Sequence, residues 1–137
     1  MAWPSVLLLV FFNFVRSPGE RPRPVEAAID CSHANVHDVA GLERCLELRP
    51  DDIETMIELG DVYGQAGRWD GAEAMYRRAL AVDPEDGDIR VRLGDILLRN
   101  GDAAGARREA AAALAVQPGR AHVLELIDRA DAAARRR

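Results

Sequence analysis

Two cysteines and two histidines fall close together in the amino-terminal third, spaced Cys31-x-His33-x3-His37-x7-Cys45. Thiolate and imidazole are the usual donors to zinc, so this grouping is where ligation chemistry would sit. Its spacing does not match a structural zinc site, which pairs its cysteines as Cys-x-x-Cys. The same thiols would close a disulfide if the domain is exported, and Cys45 also suits a position that must be small and buried. On the residues alone the three readings stay open. Elsewhere there is no G-x-S-x-G, no phosphate-cradling glycine loop and no His-Glu-x-x-His. Neither a catalytic residue nor a cofactor is expected.

Composition narrows the partners. The net charge of -5 gives no concentrated basic surface for a phosphate backbone, so nucleic acid is not an expected partner. At 137 residues there is room for one core. Hydrophobic residues make up 48% of the chain but aromatics only 5%, and all three Phe lie in one run, Phe11, Phe12 and Phe14. The core must therefore be built from Ala, Leu, Val and Ile, which suits closely approaching helices.

That aromatic run belongs to Trp3–Val15, a 13-residue apolar stretch broken by Pro4, Ser5 and Asn13. It is shorter than the roughly 20 residues of a membrane span and has the length of a signal-peptide core, without a basic leader before it or a small-x-small cleavage site after it. It reads as an unusual signal or anchor, as the tail of a membrane segment from a longer protein, or as an apolar helix docked on the domain. Membrane association or export would follow from the first two readings, a cytoplasmic place from the third. Residues 18–24, rich in Pro and Arg, read as a linker.

The rest of the chain repeats itself. At an offset of 34 residues Leu59-Gly60-Asp61 falls on Leu93-Gly94-Asp95, Gly67 on Gly101, Gly71-Ala72 on Gly105-Ala106, Ala79–Val82 on Ala113–Val116, and Pro84 on Pro118. A fixed period of this length marks a solenoid, in which each unit covers the apolar face of the next. Local signals agree with helix pairs. Asp51 and Asp52 follow Pro50, and Asp86 and Asp88 follow Pro84, where helix N-termini want acceptors. Gly67 and Gly101 suit left-handed ends of first helices, and Pro84 and Pro118 stop the second ones. Gly60 with Ala72, and Gly94 with Ala106, are expected to be the small contacts that let paired helices approach.

The unit from Ile53 to Asp86 resembles the tetratricopeptide repeat, with Met56 at its Trp position, then Leu59-Gly60, Tyr63, Gly67, Ala72, Tyr76, Ala79 and Pro84. The copy from Gly87 to Arg120 is degenerate, carrying Arg90, Leu97 and Ala110 at the large aromatic positions. The expected fold is all-α: a short right-handed solenoid of helical hairpins with a capping helix over 121–137, in which Val123, Leu124 and Ile127 are apolar. Residues 53–86 and 87–120 are the full units and 25–52 a partial one, with a second helix at His37–Leu48 and a first helix near Val25–Asp30. The apolar segment 1–17 precedes them. In this register Trp69 and Tyr76 are packing aromatics rather than a ligand pair, and Glu73 with Arg77 is an i,i+4 surface pair.

The resemblance implies a protein-binding scaffold and places groove positions at Glu54, Ile57, Asp61, Gly64 and Gln65, and at Asp88, Val91, Asp95, Leu98 and Arg99. Four carboxylates around an apolar Ile57 and Val91 stripe imply a basic and aliphatic peptide or protein partner. Ile57, Glu58 and Asp61 stand where some family members carry the Lys, Asn and Arg that hold a C-terminal carboxylate, so that activity is not expected. A second reading makes the repeats the structural tail of a larger membrane protein or enzyme. Two full units are few for such an array, which implies self-association or docking on another domain.

Overall fold

In the computed structural model, Cys31 and residues 38–136 are described. Among them six helices and no strand occur: α1 (Val39–Leu48), α2 (Ile53–Gln65), α3 (Trp69–Val82), α4 (Gly87–Arg99), α5 (Ala103–Val116) and α6 (Ala121–Ala134). No helix among the described residues is long and apolar enough to cross a membrane. The apolar run 3–15, the linker 18–24, the short helix expected at Val25–Asp30, and His33 and His37 lie outside the described residues.

Helix ends follow the local chemistry. Asp38, Asp52, Asp86 and Asp102 cap α1, α2, α4 and α5 through their side chains, the Asp86 carboxylate accepting from the Asp88 and Ile89 amides at 2.8 and 3.0 Å. After α2 and α4 the chain turns through Gly67 (φ 71°) and Gly101 (φ 88°). This left-handed residue lets the next amide reach back, Arg68 to the Tyr63 carbonyl and Asp102 to the Leu97 carbonyl, both at 2.8 Å. Pro84 and Pro118 each follow a second helix by two residues, at the point where an amide for the helix ladder is missing.

The helices pack in chain order, α2 on α3 and α4 on α5 as hairpins, with α1 on α2, α3 on α4 and α5 on α6 joining them, and α4 touching α6. Met56, Leu59, Ala72, Tyr76 and Ala79 form the buried seam of the first hairpin, continuous with Leu42 and Leu46 of α1 and Ile89 and Leu93 of α4. Met56, at the tryptophan position, is 1% exposed. The close approach at Gly60 differs from the sequence expectation. A methyl there would meet the Tyr76 ring at 2.7 Å, so Gly60 makes room for an aromatic face rather than for Ala72. Gly71 does the same for Tyr63 at 2.9 Å. Gly94 does lie against the Ala106 carbonyl, 3.3 Å from the same built methyl.

The degenerate copy closes its core by another route. Ala110 occupies the register of Tyr76, and the room so left over Gly94 is filled by Leu126 of α6, 2.8 Å from a methyl built on Gly94. Leu126 in turn holds the register of Arg92, one repeat on. One interface thus uses a tyrosine with an arginine beside it, and the next an alanine with a leucine. Arg90, at another aromatic position, donates to Glu109 Oε2 at 3.0 Å and to the Pro84 carbonyl at 2.6 Å.

Helix α6 stacks as a first helix would. Val123, Leu126 and Ala130 are buried, whereas Leu124, in the register of Met56, is 48% exposed. Val123 is thus core as expected, with Ile127 packed beside it, and Leu126, which the sequence reading did not single out, is core with them. Asp128 and Asp131 stand where Gly60 and Tyr63 stood, and Asp131 pairs with Arg107 at 2.7 Å, giving a polar face.

At the other end, Cys31 and Cys45 form a disulfide with Cα atoms 5.7 Å apart. Their sulfurs are bonded to each other, so neither thiolate is left for a metal. Cys45 is buried at the register of Ala79 and Ala113, which satisfies the demand for a small side chain as well. The Arg49 guanidinium donates to the Cys31 carbonyl at 2.7 Å, a second tie across the same closure.

Candidate functional site

The first helices α2, α4 and α6 lie beside one another, linked by contacts between side chains one repeat apart. Asp61 of α2 accepts two hydrogen bonds from Arg92 of α4, both 2.8 Å, and a third from the Tyr76 hydroxyl at 2.6 Å. Asp95 of α4 accepts from Arg129 of α6 at 2.9 Å, and Asp88 pairs with Arg120. Three of the four carboxylates expected to line an acidic groove are therefore met by arginines of this chain. These charge-assisted contacts cross from one repeat to the next.

Burial of the Tyr76 hydroxyl, then its bond to the Asp61 carboxylate, raise its pKa well above the ordinary 10.0. Tyr63 is shifted in the same direction, first by its 2.7 Å bond to Glu43 and then by burial. Burial tends to lower the Arg92 pKa, but the charge and hydrogen bonds of Asp61 outweigh it and the net shift is upward. Both phenols stay protonated donors over the neutral range, holding α1 to α2 and α3 to α2.

Between α2 and α4 lies an open cleft of ≈ 270 Å³. It gathers Asp61, Gly64, Gln65, Asp95 and Arg99 from the expected groove set, and adds Trp69, Tyr76, Arg92 and Ile96. Gly64 keeps its floor open, since a methyl there would come within 3.0 Å of Ile96 Cδ1. Trp69 is half-buried in the wall with the Arg99 guanidinium 5.7 Å from its ring centroid. Tyr76 is core, as a packing aromatic should be, and Trp69 is core only in part. Ile57, Val91 and Leu98 are partly buried against the core clusters and do not line the cleft, and neither do Glu54 and Asp88. Arg92 and Arg129 carried a signal that went unread. In a stack of period 34, an opposite charge about one repeat downstream of an inner-face carboxylate lies within reach of it.

Two comparisons bear on this arrangement. A family model described as "Tetratricopeptide repeat" matches residues 57–122, and the helices there have that repeat's order, turns and seam. Residues 57–122 belong to the tetratricopeptide repeat family. Solved tetratricopeptide structures share the fold. The first TPR of Spaghetti (RPAP3), bound to HSP90 peptide SRMEEVD, superposes with a TM-score of 0.67 at 12% identity, over 71% of this chain and 77% of that one. MamA AMB-1 gives 0.65 at 26% identity over 72% of this chain and 54% of its own, and another MamA crystal structure gives 0.60 at 18% identity, over 71% and 63%. No curated protein matches the chain. The cleft between α2 and α4 is an open trough rather than an enclosed pocket.

Proposed function

We propose that this chain is a non-catalytic scaffold that holds a peptide or a segment of a partner protein along the face made by α2, α4 and α6. The cleft between α2 and α4 carries the reading, because it joins an indole, an aliphatic side chain and fixed polar groups on rigid helices. Fold similarity to a peptide-bound tetratricopeptide structure supports a polypeptide guest. The aliphatic half of the partner chemistry expected from the sequence keeps its support from Ile96 and Trp69. The basic half loses most of its pull, since an incoming lysine would have to displace Arg92 or Arg129 from Asp61 or Asp95.

A photo-crosslinking residue at Gln65, on the cleft, and another at Ala111, exposed on α5 away from it, test the proposal in cells. Adducts should concentrate at position 65. Equal or greater yield at 111 would count against the inner face. An Asp61→Lys variant is a poorer probe, because a lysine facing Arg92 changes stability along with binding.

A further inference from the structure

Two of the cations that make no ion pair among the described residues lie beside the cleft and the hollow next to it. Arg92, Arg120 and Arg129 each meet a carboxylate. Arg68 and Arg99 meet rings instead: the Arg68 guanidinium lies 4.3 Å from the Tyr63 centroid and that of Arg99 5.7 Å from the Trp69 centroid. Among the described residues no carboxylate pairs with either. A guanidinium laid on a ring keeps N–H donors free along its edge, where a planar carboxylate can take two at once.

Trp69 stands between the two. Its indole is a wall of the inner cleft and also of an adjoining hollow of ≈ 360 Å³ that contains Arg68, Asp70 and Asn100. The acceptors around it are already engaged, Asp70 by the Asn100 amide at 3.1 Å and Asp61 and Asp95 by their arginines. What this surface still offers a visitor is donors and an aromatic face. Tryptophan and arginine are the residue types that dominate interface energies when a partner seals them from water.

We infer that Trp69, Arg68 and Arg99 form the docking point for an acidic segment of the partner protein, whose carboxylates meet the two arginines while a neighbouring apolar side chain covers the indole. The inference rests on the inner-face reading above and gives it a sign, acidic rather than basic.

The test uses the full chain and two labelled probes, a short peptide of alternating Glu and Leu and its Lys and Leu counterpart, followed by fluorescence anisotropy over a salt series. The acidic peptide should bind more tightly and weaken as salt rises. Arg68→Glu with Arg99→Glu should weaken it by roughly tenfold or more and turn the preference towards the lysine peptide, a reversal that loss of folding would not produce. Trp69→Ala should weaken both probes. Tighter binding of the lysine peptide by the native chain, failure of the acidic peptide to bind, or indifference to the double reversal would overturn the docking point. A peptide that ignores residues 68 and 99 yet crosslinks from position 65 would discard the acidic inference while leaving the inner-face reading in place.

Discussion

Replacing Gly60 with alanine sets two known effects against each other at one atom. In the interior of α2 the change removes the flexibility of glycine and should stabilise the helix by about 1 kcal/mol. The added methyl, however, would sit 2.7 Å from Tyr76 Cε1 and 2.9 Å from Cζ. Tyr76 is 2% exposed and its hydroxyl is held by Asp61 at 2.6 Å, so the ring cannot swing aside without giving up that bond. Overpacking of this kind costs about 1–3 kcal/mol, and weakening a hydrogen bond to a charged acceptor adds up to about 1.5 kcal/mol. The terms leave a net destabilisation of about 0–3.5 kcal/mol, centred on about 2 kcal/mol, which for about 100 ordered residues lowers the melting temperature by roughly 10 °C. Thermal melts followed by helical circular dichroism measure it, with the same substitution repeated in a Tyr76→Leu background. There Gly60→Ala should become neutral or stabilising, leaving a coupling well above 0.5 kcal/mol in the double-mutant cycle. A Gly60→Ala protein that melts at or above the parent temperature would refute the argument, since helix propensity would then outweigh the locked ring.

Three further outcomes follow from the same contacts. Reductant should lower the melting temperature by releasing Cys31 from Cys45, closures of about this length contributing about 3 kcal/mol; an identical melt with intact thiol capping in both states would remove the staple. Leu126→Ala should cost about 2–5 kcal/mol in urea denaturation because the side chain is buried in the space over Gly94, whereas Arg92→Ala, at a half-exposed pair, should cost about 1 kcal/mol or less and lose that effect in high salt. Both tyrosines have folded-state pKa values above the ordinary 10.0. Their contribution is thus complete below pH 10.0 and is lost as pH climbs through the higher folded values, so tyrosinate absorbance should appear later in the folded protein than in urea; coincident titrations would show the phenols unengaged.

Much of the molecule could be read from residue types and their period. Aspartates after prolines, glycines at left-handed turns and prolines past helix ends act within a few residues, so their effects can be argued without neighbours, and the helices begin and end where those signals stand. The small and aromatic positions also fell as the repeat register required, with Met56, Ala72, Tyr76 and Ala79 buried together. The candidate face was harder. Its positions follow from the register, but whether Asp61 and Asp95 stay available to a guest depends on arginines that lie 31 and 34 residues downstream.

The sequence by itself determined the unit: its length, its two helices, their caps, and which residue types must be small or apolar in each. Those choices are governed by backbone conformation and by a pattern that recurs within one period. The tertiary structure decided which equivalent positions touch. It set Gly60 under the Tyr76 ring, placed Leu126 where Ala110 left a gap, closed Cys31 onto Cys45, and matched inner carboxylates to arginines of the next hairpin. Contacts of that kind depend on the rotation between neighbouring hairpins and the reach of long side chains, and a periodic pattern in one dimension specifies neither.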